Sequence, residues 1–265
     1  MIDQETTMEV RSLGDILSET FTIYGRNLKQ LVRLTAIVQI PANLIWLLPI
    51  NDVGTYVVLN AAIVLGMQLV FGAIIVAVGQ QYVSAKIDVA ACYAKVVERA
   101  VSMFILASIL VALVALLGIV VGGVEVPAVG LPILAVMAVY SFYLAIATPA
   151  VMVERYKWIG ALQRSFALAR RNEWRILGRL LVFSLVAIGL SIVVSAPFWL
   201  MTEAASLDET AMLNRAVVTI GNIVVVVLAA PVLHIAATLL YYDLRVRKEG
   251  YDIAALSQEM ELAAS

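Results

Sequence analysis

The stretch "ILASILVALVALLGIVV", residues 105–121, decides the fold class. It carries no charge, and its apolar side chains would face every direction on a helix. A membrane-spanning strand would instead alternate apolar and polar residues over about ten positions. Only helices and closed barrels satisfy their own backbone in lipid, so the many Val and Ile residues do not argue for strands. The stretch reads as the middle of a transmembrane helix.

It lies within an uncharged run from Ala100 to Val124, and five more such runs flank it. They extend from Leu34 to Asn51, Val53 to Ala85, Val126 to Val153, Leu180 to Thr202 and Ala216 to Tyr242. A helix crosses the hydrocarbon with roughly 20 apolar residues, and about 18 with few charges makes a candidate. All six runs are long enough. The chain is 63% apolar and 14% charged, whereas soluble domains run closer to half apolar and a quarter charged. The expectation is an all-α integral membrane protein, one polytopic domain over residues 1–265. Its six transmembrane helices are expected at about 34–51, 57–83, 101–122, 131–152, 180–201 and 217–241, as three helical hairpins.

The formal net charge of −1 conceals a segregation. If the N-terminal segment through Arg33 and residues 86–99, 154–179 and 243–265 share one side, all but one of the eighteen Lys and Arg residues lie there. Arg215 alone falls opposite. Short loops rich in Lys and Arg stay cytoplasmic, so both termini are expected in the cytosol. The N-terminus, "MIDQETTMEVRSLGD", lacks a basic region followed by an apolar one, which predicts no cleavable signal peptide. The first spanning helix is then the insertion signal. Cys92 is the only cysteine, which excludes an intrachain disulfide or a thiolate cluster.

Each hairpin follows a segment with the pattern of a cytosolic interfacial amphipathic helix. In the first, Leu13, Leu17, Phe21, Tyr24, Leu28 and Leu31 recur at helical spacing. In the third, Leu162, Phe166 and Ala169 do so, and Phe21 and Arg26-Asn27 can be laid over Phe166 and Arg171-Asn172. The second, "DVAACYAKVVERAV", carries Val89, Tyr93, Val96 and Ala100 on one face but lacks the Arg-Asn pair. A threefold helix-hairpin repeat is expected, with Asn27 and Asn172 capping the helices that follow them.

The candidate functional residues fall into two groups. Arg171, Arg175 and Arg179 form a basic stripe beside Trp174 at the foot of the fifth span. Anionic headgroups would attract them, each basic residue contributing about 1 kcal/mol near the surface, and Trp suits the same interface. Arg245, Arg247 and Lys248 leave the last span in the same way. Glu154, Arg164, Asp243 and Glu249 would join these cations, either as ion pairs locking helix ends or as a grip on a lipid phosphate or soluble partner. A nucleic-acid module would need basic surface clear of the bilayer, so nucleic acid is not expected.

The second group lies inside the spans, which contain no Asp, Glu, Lys or Arg. Gln39, Asn43, Gln68, Asn222 and His234 are the candidates for a polar path. The alternative is ordinary hydrogen bonding between helices, worth about 0.6 kcal/mol each. His234 is the only histidine, without a ligand partner at metal spacing, so no metal is expected. No nucleophile elbow, zinc-protease motif, phosphate loop or dinucleotide fingerprint occurs. Neither a cofactor nor enzymatic activity is expected.

Two stretches carry a resemblance. In "PAVMVERYKWIGALQRSFALARRNEWRILG", residues 149–178, a proline-ended helix leads through a glutamate to an Ala-Leu-x-x-Ser segment and a basic, Trp-containing helix start. In "PVLHIAATLLYYDLRVRKEGYDI", residues 231–253, a Tyr-Tyr-Asp-Leu-Arg string leaves the membrane. Together they resemble the polytopic bacterial membrane family named for the membrane domain of glycerophosphoryl diester phosphodiesterases. The resemblance implies the membrane portion alone, in a bacterial cytoplasmic (inner) membrane, since the family's phosphodiesterase chemistry belongs to a separate barrel domain. No catalytic residue carries over. The functional expectation is a non-enzymatic membrane protein binding anionic lipid, or anchoring a membrane or cytosolic protein partner, at its cytosolic face. The alternative is a small-solute transporter or permease.

Overall fold

The computed structural model describes residues 10–48, 52–83, 86–122, 142–205 and 212–262. Among these residues there are helices, short connections and no strand. The helices are α1 (Leu13–Arg26), α2 (Leu28–Leu44), α3 (Val53–Val83), α4 (Val89–Gly122), α5 (Phe142–Met152), α6 (Trp158–Ala169), α7 (Glu173–Ala204), α8 (Met212–Glu249) and α9 (Ile253–Leu262). A 3₁₀ turn, Ile45–Leu47, extends α2.

Four stretches are long and apolar enough to cross a membrane: Leu28–Leu47, Gly54–Val83, Glu173–Ala204 and Met212–Glu249. The first begins at Leu28 rather than at residue 34, because the amphipathic approach and the apolar run form one helix from Leu28. The third expected span falls on the second half of α4. Of the fourth, only α5 is described, and residues 131–141 lie outside the described residues.

The amphipathic segments differ from the sequence expectation in position. Ser12 and Asp15 form a reciprocal cap that starts α1: the Asp15 amide donates to Ser12 Oγ at 3.2 Å, and the Ser12 amide to Asp15 Oδ2 at 2.8 Å. Ile16, Thr20 and Ile23 are buried, while Phe21 is turned outward. The helix runs alongside α8. At one end the Arg11 amide donates to Asp243 Oδ1 (2.8 Å), and at the other the Tyr24 hydroxyl donates to the Leu228 carbonyl (2.9 Å). The apolar face of α1 is therefore occupied by protein rather than laid on a surface. In the second unit there is no separate amphipathic helix. α4 is continuous from Val89, because Ala90 to Ala100 holds no Gly, Pro or Asn to interrupt it.

Units one and three share a joint. Asn27 (φ −120°, ψ 23°) stands between α1 and α2, and Asn172 (φ −132°, ψ 14°) precedes α7 with nearly the same backbone. Neither side chain caps the following helix, contrary to the expectation. A capping side chain reaches the next turn from an extended backbone, which these residues do not have. Asn27 Nδ2 instead donates back to the Ile23 carbonyl at 3.0 Å.

α3 and α8 form the centre: the most apolar windows of these helices are 61% and 56% buried, against 11% for α7. α7 packs on α8 and turns Leu181, Ile192 and Val193 outward. Soluble monomers rarely expose so continuous an apolar surface, whereas lipid would cover it. At the crossing, a Cβ on Gly221 would stand 2.9 Å from Phe198 Cβ, so glycine permits the close approach.

Candidate functional site

The described charges concentrate at one end of the bundle, in two ion-pair clusters. Asp243 centres the first, its side chain wholly buried. Arg179 Nη1 lies 2.5 Å and Arg247 Nε 2.8 Å from Asp243 Oδ2. Both guanidinium groups also donate to the Arg11 carbonyl, at 3.2 and 2.7 Å. Arg11 in turn donates to the Tyr82 hydroxyl at 2.9 Å. One carboxylate thus joins the chain before α1 to α7 and α8, and Arg11 carries the link to α3.

Glu154, just after α5, centres the second. Arg164 Nε lies 2.9 Å from Glu154 Oε2, and Arg164 Nη1 2.5 Å from Glu249 Oε1. The Tyr241 hydroxyl donates to Glu154. Arg245 pairs with Glu249 and, through two parallel bonds of 2.9 and 3.0 Å, with Glu259 on α9. Its guanidinium lies 3.6 Å over the Tyr251 ring. Burial opposes the charge of Arg164, but the bonds to Glu249 and Glu154 outweigh it and hold the guanidinium above its ordinary value. The two sequence stretches singled out above meet in this cluster.

These pairs divide the sequence-predicted cations. Arg179, Arg245 and Arg247 are engaged in ion pairs. Lys248 donates to the Ala167 and Arg170 carbonyls (2.7 and 2.9 Å) and closes the C-terminus of α6. Arg171 and Arg175 are exposed, and among the described residues neither side chain has a carboxylate partner. Trp174 between them is 85% exposed. Arg171 holds φ at +71°, with its amide donating to Glu173 Oε1 at 3.0 Å. Non-glycine residues there cost of order 1–3 kcal/mol, and the strained turn projects the chain into α7. The basic stripe is therefore two exposed arginines and a tryptophan, with a structural third member.

The intramembrane candidates separate as well. Asn43 Nδ2 donates to the Gln39 carbonyl (2.8 Å) and Oε1 (3.0 Å), so these two buried amides are engaged within α2. Asn222 is exposed on α8. Gln68 and His234 do converge, lining one cavity of about 320 Å³ between α3, α5, α7 and α8, with Phe142, Leu181 and Ser184 on its walls. Gln68 reaches Thr148 Oγ1 at 3.4 Å. His234 stacks on Phe71 with centroids 4.7 Å apart, and its Nδ1 has no protein partner. Among the described residues no group of three His, Cys, Asp or Glu side chains could hold a metal.

Sequence reasoning missed Arg11, Tyr82, Glu259 and Tyr251, whose roles depend on which helix ends meet. It also missed a groove of about 760 Å³ between α2 and the start of α4, bordered by Lys29, Arg33 and Lys86. Comparison of the chain with protein-family models, curated proteins and solved structures finds no significant match in any of the three.

Proposed function

We propose that this is a non-enzymatic polytopic membrane protein that binds anionic lipid through its charged, cytosolic end, with the foot of α7 as the contact. The observation that carries this reading is the exposure of Trp174 between Arg171 and Arg175, directly above the outward apolar face of α7. Two guanidinium groups with no ion-pair partner among the described residues, at a water–hydrocarbon boundary, attract phosphate groups, and the indole suits that depth. Six spans, with both termini cytosolic in a bacterial inner membrane, complete the proposal. The likeness of residues 149–178 and 231–253 to the membrane family named above supports it. A protein partner docking on the same surface is the alternative occupant.

Spin-labelled phosphatidylglycerol and phosphatidylcholine, compared in reconstituted vesicles, test the lipid reading. Wild type should immobilise the anionic probe preferentially, and Arg171→Gln/Arg175→Gln should reduce that preference without altering helicity. An equal preference in the folded variant overturns it.

The cavity shared by Gln68 and His234 favours a second reading, a path for a small solute. Solute uptake by vesicles that is abolished in Gln68→Leu and His234→Leu would support it. Uptake no faster than in protein-free vesicles would remove it.

A further inference from the structure

We propose that the groove between α2 and the start of α4 holds one anionic phospholipid. Lys29, Arg33 and Lys86 would seat its phosphodiester, and an acyl chain would lie along Ile37, Ile40 and Leu44. The site is distinct from the foot of α7 and does not depend on that reading.

Lys29 and Arg33 stand one turn apart at the start of a helix apolar enough to span the membrane. Both are exposed, and among the described residues neither has a carboxylate partner. Lys86 approaches from the connection between α3 and α4. Asp88, the one acid on the groove, is already engaged. Its Oδ1 accepts from the amides of Ala90 (2.9 Å) and Ala91 (3.2 Å), as the cap of α4. Lys29 and Arg33 thus give the groove a cationic border, which selects a net-anionic headgroup over a zwitterionic one. The Tyr93 hydroxyl donates to the Leu34 carbonyl, which ties the two walls together.

The apolar track identifies the rest of the ligand. Ile37, Ile40 and Leu44 continue the Arg33 face of α2 and are 50%, 40% and 45% exposed. At 1.5 Å per residue, Arg33 to Leu44 spans about 16 Å, close to one leaflet, half of the roughly 30 Å hydrocarbon. A cationic mouth above one leaflet's depth of apolar helix fits a phospholipid. A free phosphate would leave the track unused.

The full chain, reconstituted in vesicles of phosphatidylethanolamine and phosphatidylglycerol and then extracted in mild detergent, tests this by native mass spectrometry. Wild type should retain one phosphatidylglycerol per chain, undisturbed by excess inorganic phosphate. Lys29→Gln/Arg33→Gln should lower that occupancy at least tenfold, and the charge-preserving Arg33→Lys should keep it, which separates lost charge from lost fold. Arg171→Gln/Arg175→Gln should keep it too. Undiminished occupancy in the groove variant overturns the site, as does displacement by phosphate, equal retention of phosphatidylethanolamine, or a wild type with no bound lipid. Loss in the α7 variant alone overturns the groove while leaving the α7 contact standing.

Discussion

Replacing Asp243 by Asn should loosen the charged end more than any other single polar change. The carboxylate is fully buried and accepts from the Arg11 amide, Arg179 and Arg247 at 2.8, 2.5 and 2.8 Å. Asparagine keeps an acceptor but removes the negative charge that lies between two guanidinium groups. Breaking a buried pair by removing one partner costs about 3–5 kcal/mol. Arg247 keeps 24% of its side chain exposed, and water there lessens the penalty, so the lower figure of about 3 kcal/mol applies. At roughly 2–4 °C per kcal/mol for a chain of this size, the thermal midpoint in detergent should fall by about 10 °C. The damage should also be local. Among the described residues Arg11 is held through Asp243, Tyr82 and the arginines on its own carbonyl, so trypsin should cleave after it faster in the variant. Adding Arg179→Gln removes one stranded charge and should recover at least about 1 kcal/mol, the non-additivity expected of residues in one network. A midpoint within 2 °C of wild type, or a double variant whose losses simply add, would refute the reasoning.

Other outcomes follow from the packing. Gly221→Ala should cost about 1–3 kcal/mol, since its methyl meets the Cβ and ring of Phe198 rather than the end of a flexible chain; a detergent melt reads it. Glu259→Ala should free α9, seen as accelerated proteolysis beyond Gly250, because it removes both parallel bonds to Arg245 and the acceptor of Tyr251. Burial, and then Asp88, push the Cys92 thiol up to about 12. It should resist alkylation at pH 8 until the protein unfolds. Above the ordinary thiol value, about 8.5, the unfolded chain loses this proton while the folded chain keeps it, so stability should fall as pH rises. A Cys92→Ser variant should show a shallower fall in melting temperature between pH 8 and pH 10.

The apolar runs were legible from sequence because 3.6-residue periodicity and missing charge are local properties. Four of them stand in the structure as helices able to span. The joints at Asn27 and Asn172 were legible too, through the matched Arg-Asn pairs, although the capping role was not: it depends on a backbone angle. The direction of α1 was hidden. Its leucine spacing suits a membrane surface or a protein partner equally, and only the ties from Arg11 to Asp243 and from Tyr24 to Leu228 decide between them. The division within the basic stripe was hidden for the same reason. Arg179 differs from Arg175 by one turn and by the buried carboxylate opposite it, a partner far along the chain. Long-range pairing, unlike periodicity, leaves no spacing to read.

The central claim, contact between the foot of α7 and anionic lipid, is tested most directly by Trp174 fluorescence. A variant keeping Trp174 as its sole tryptophan would be reconstituted with brominated phosphatidylglycerol or brominated phosphatidylcholine. The account predicts shallow quenching that is stronger with the anionic lipid, and loss of that difference in Arg171→Gln/Arg175→Gln. Equal quenching by the two lipids, or a Trp174 untouched by either, would contradict it.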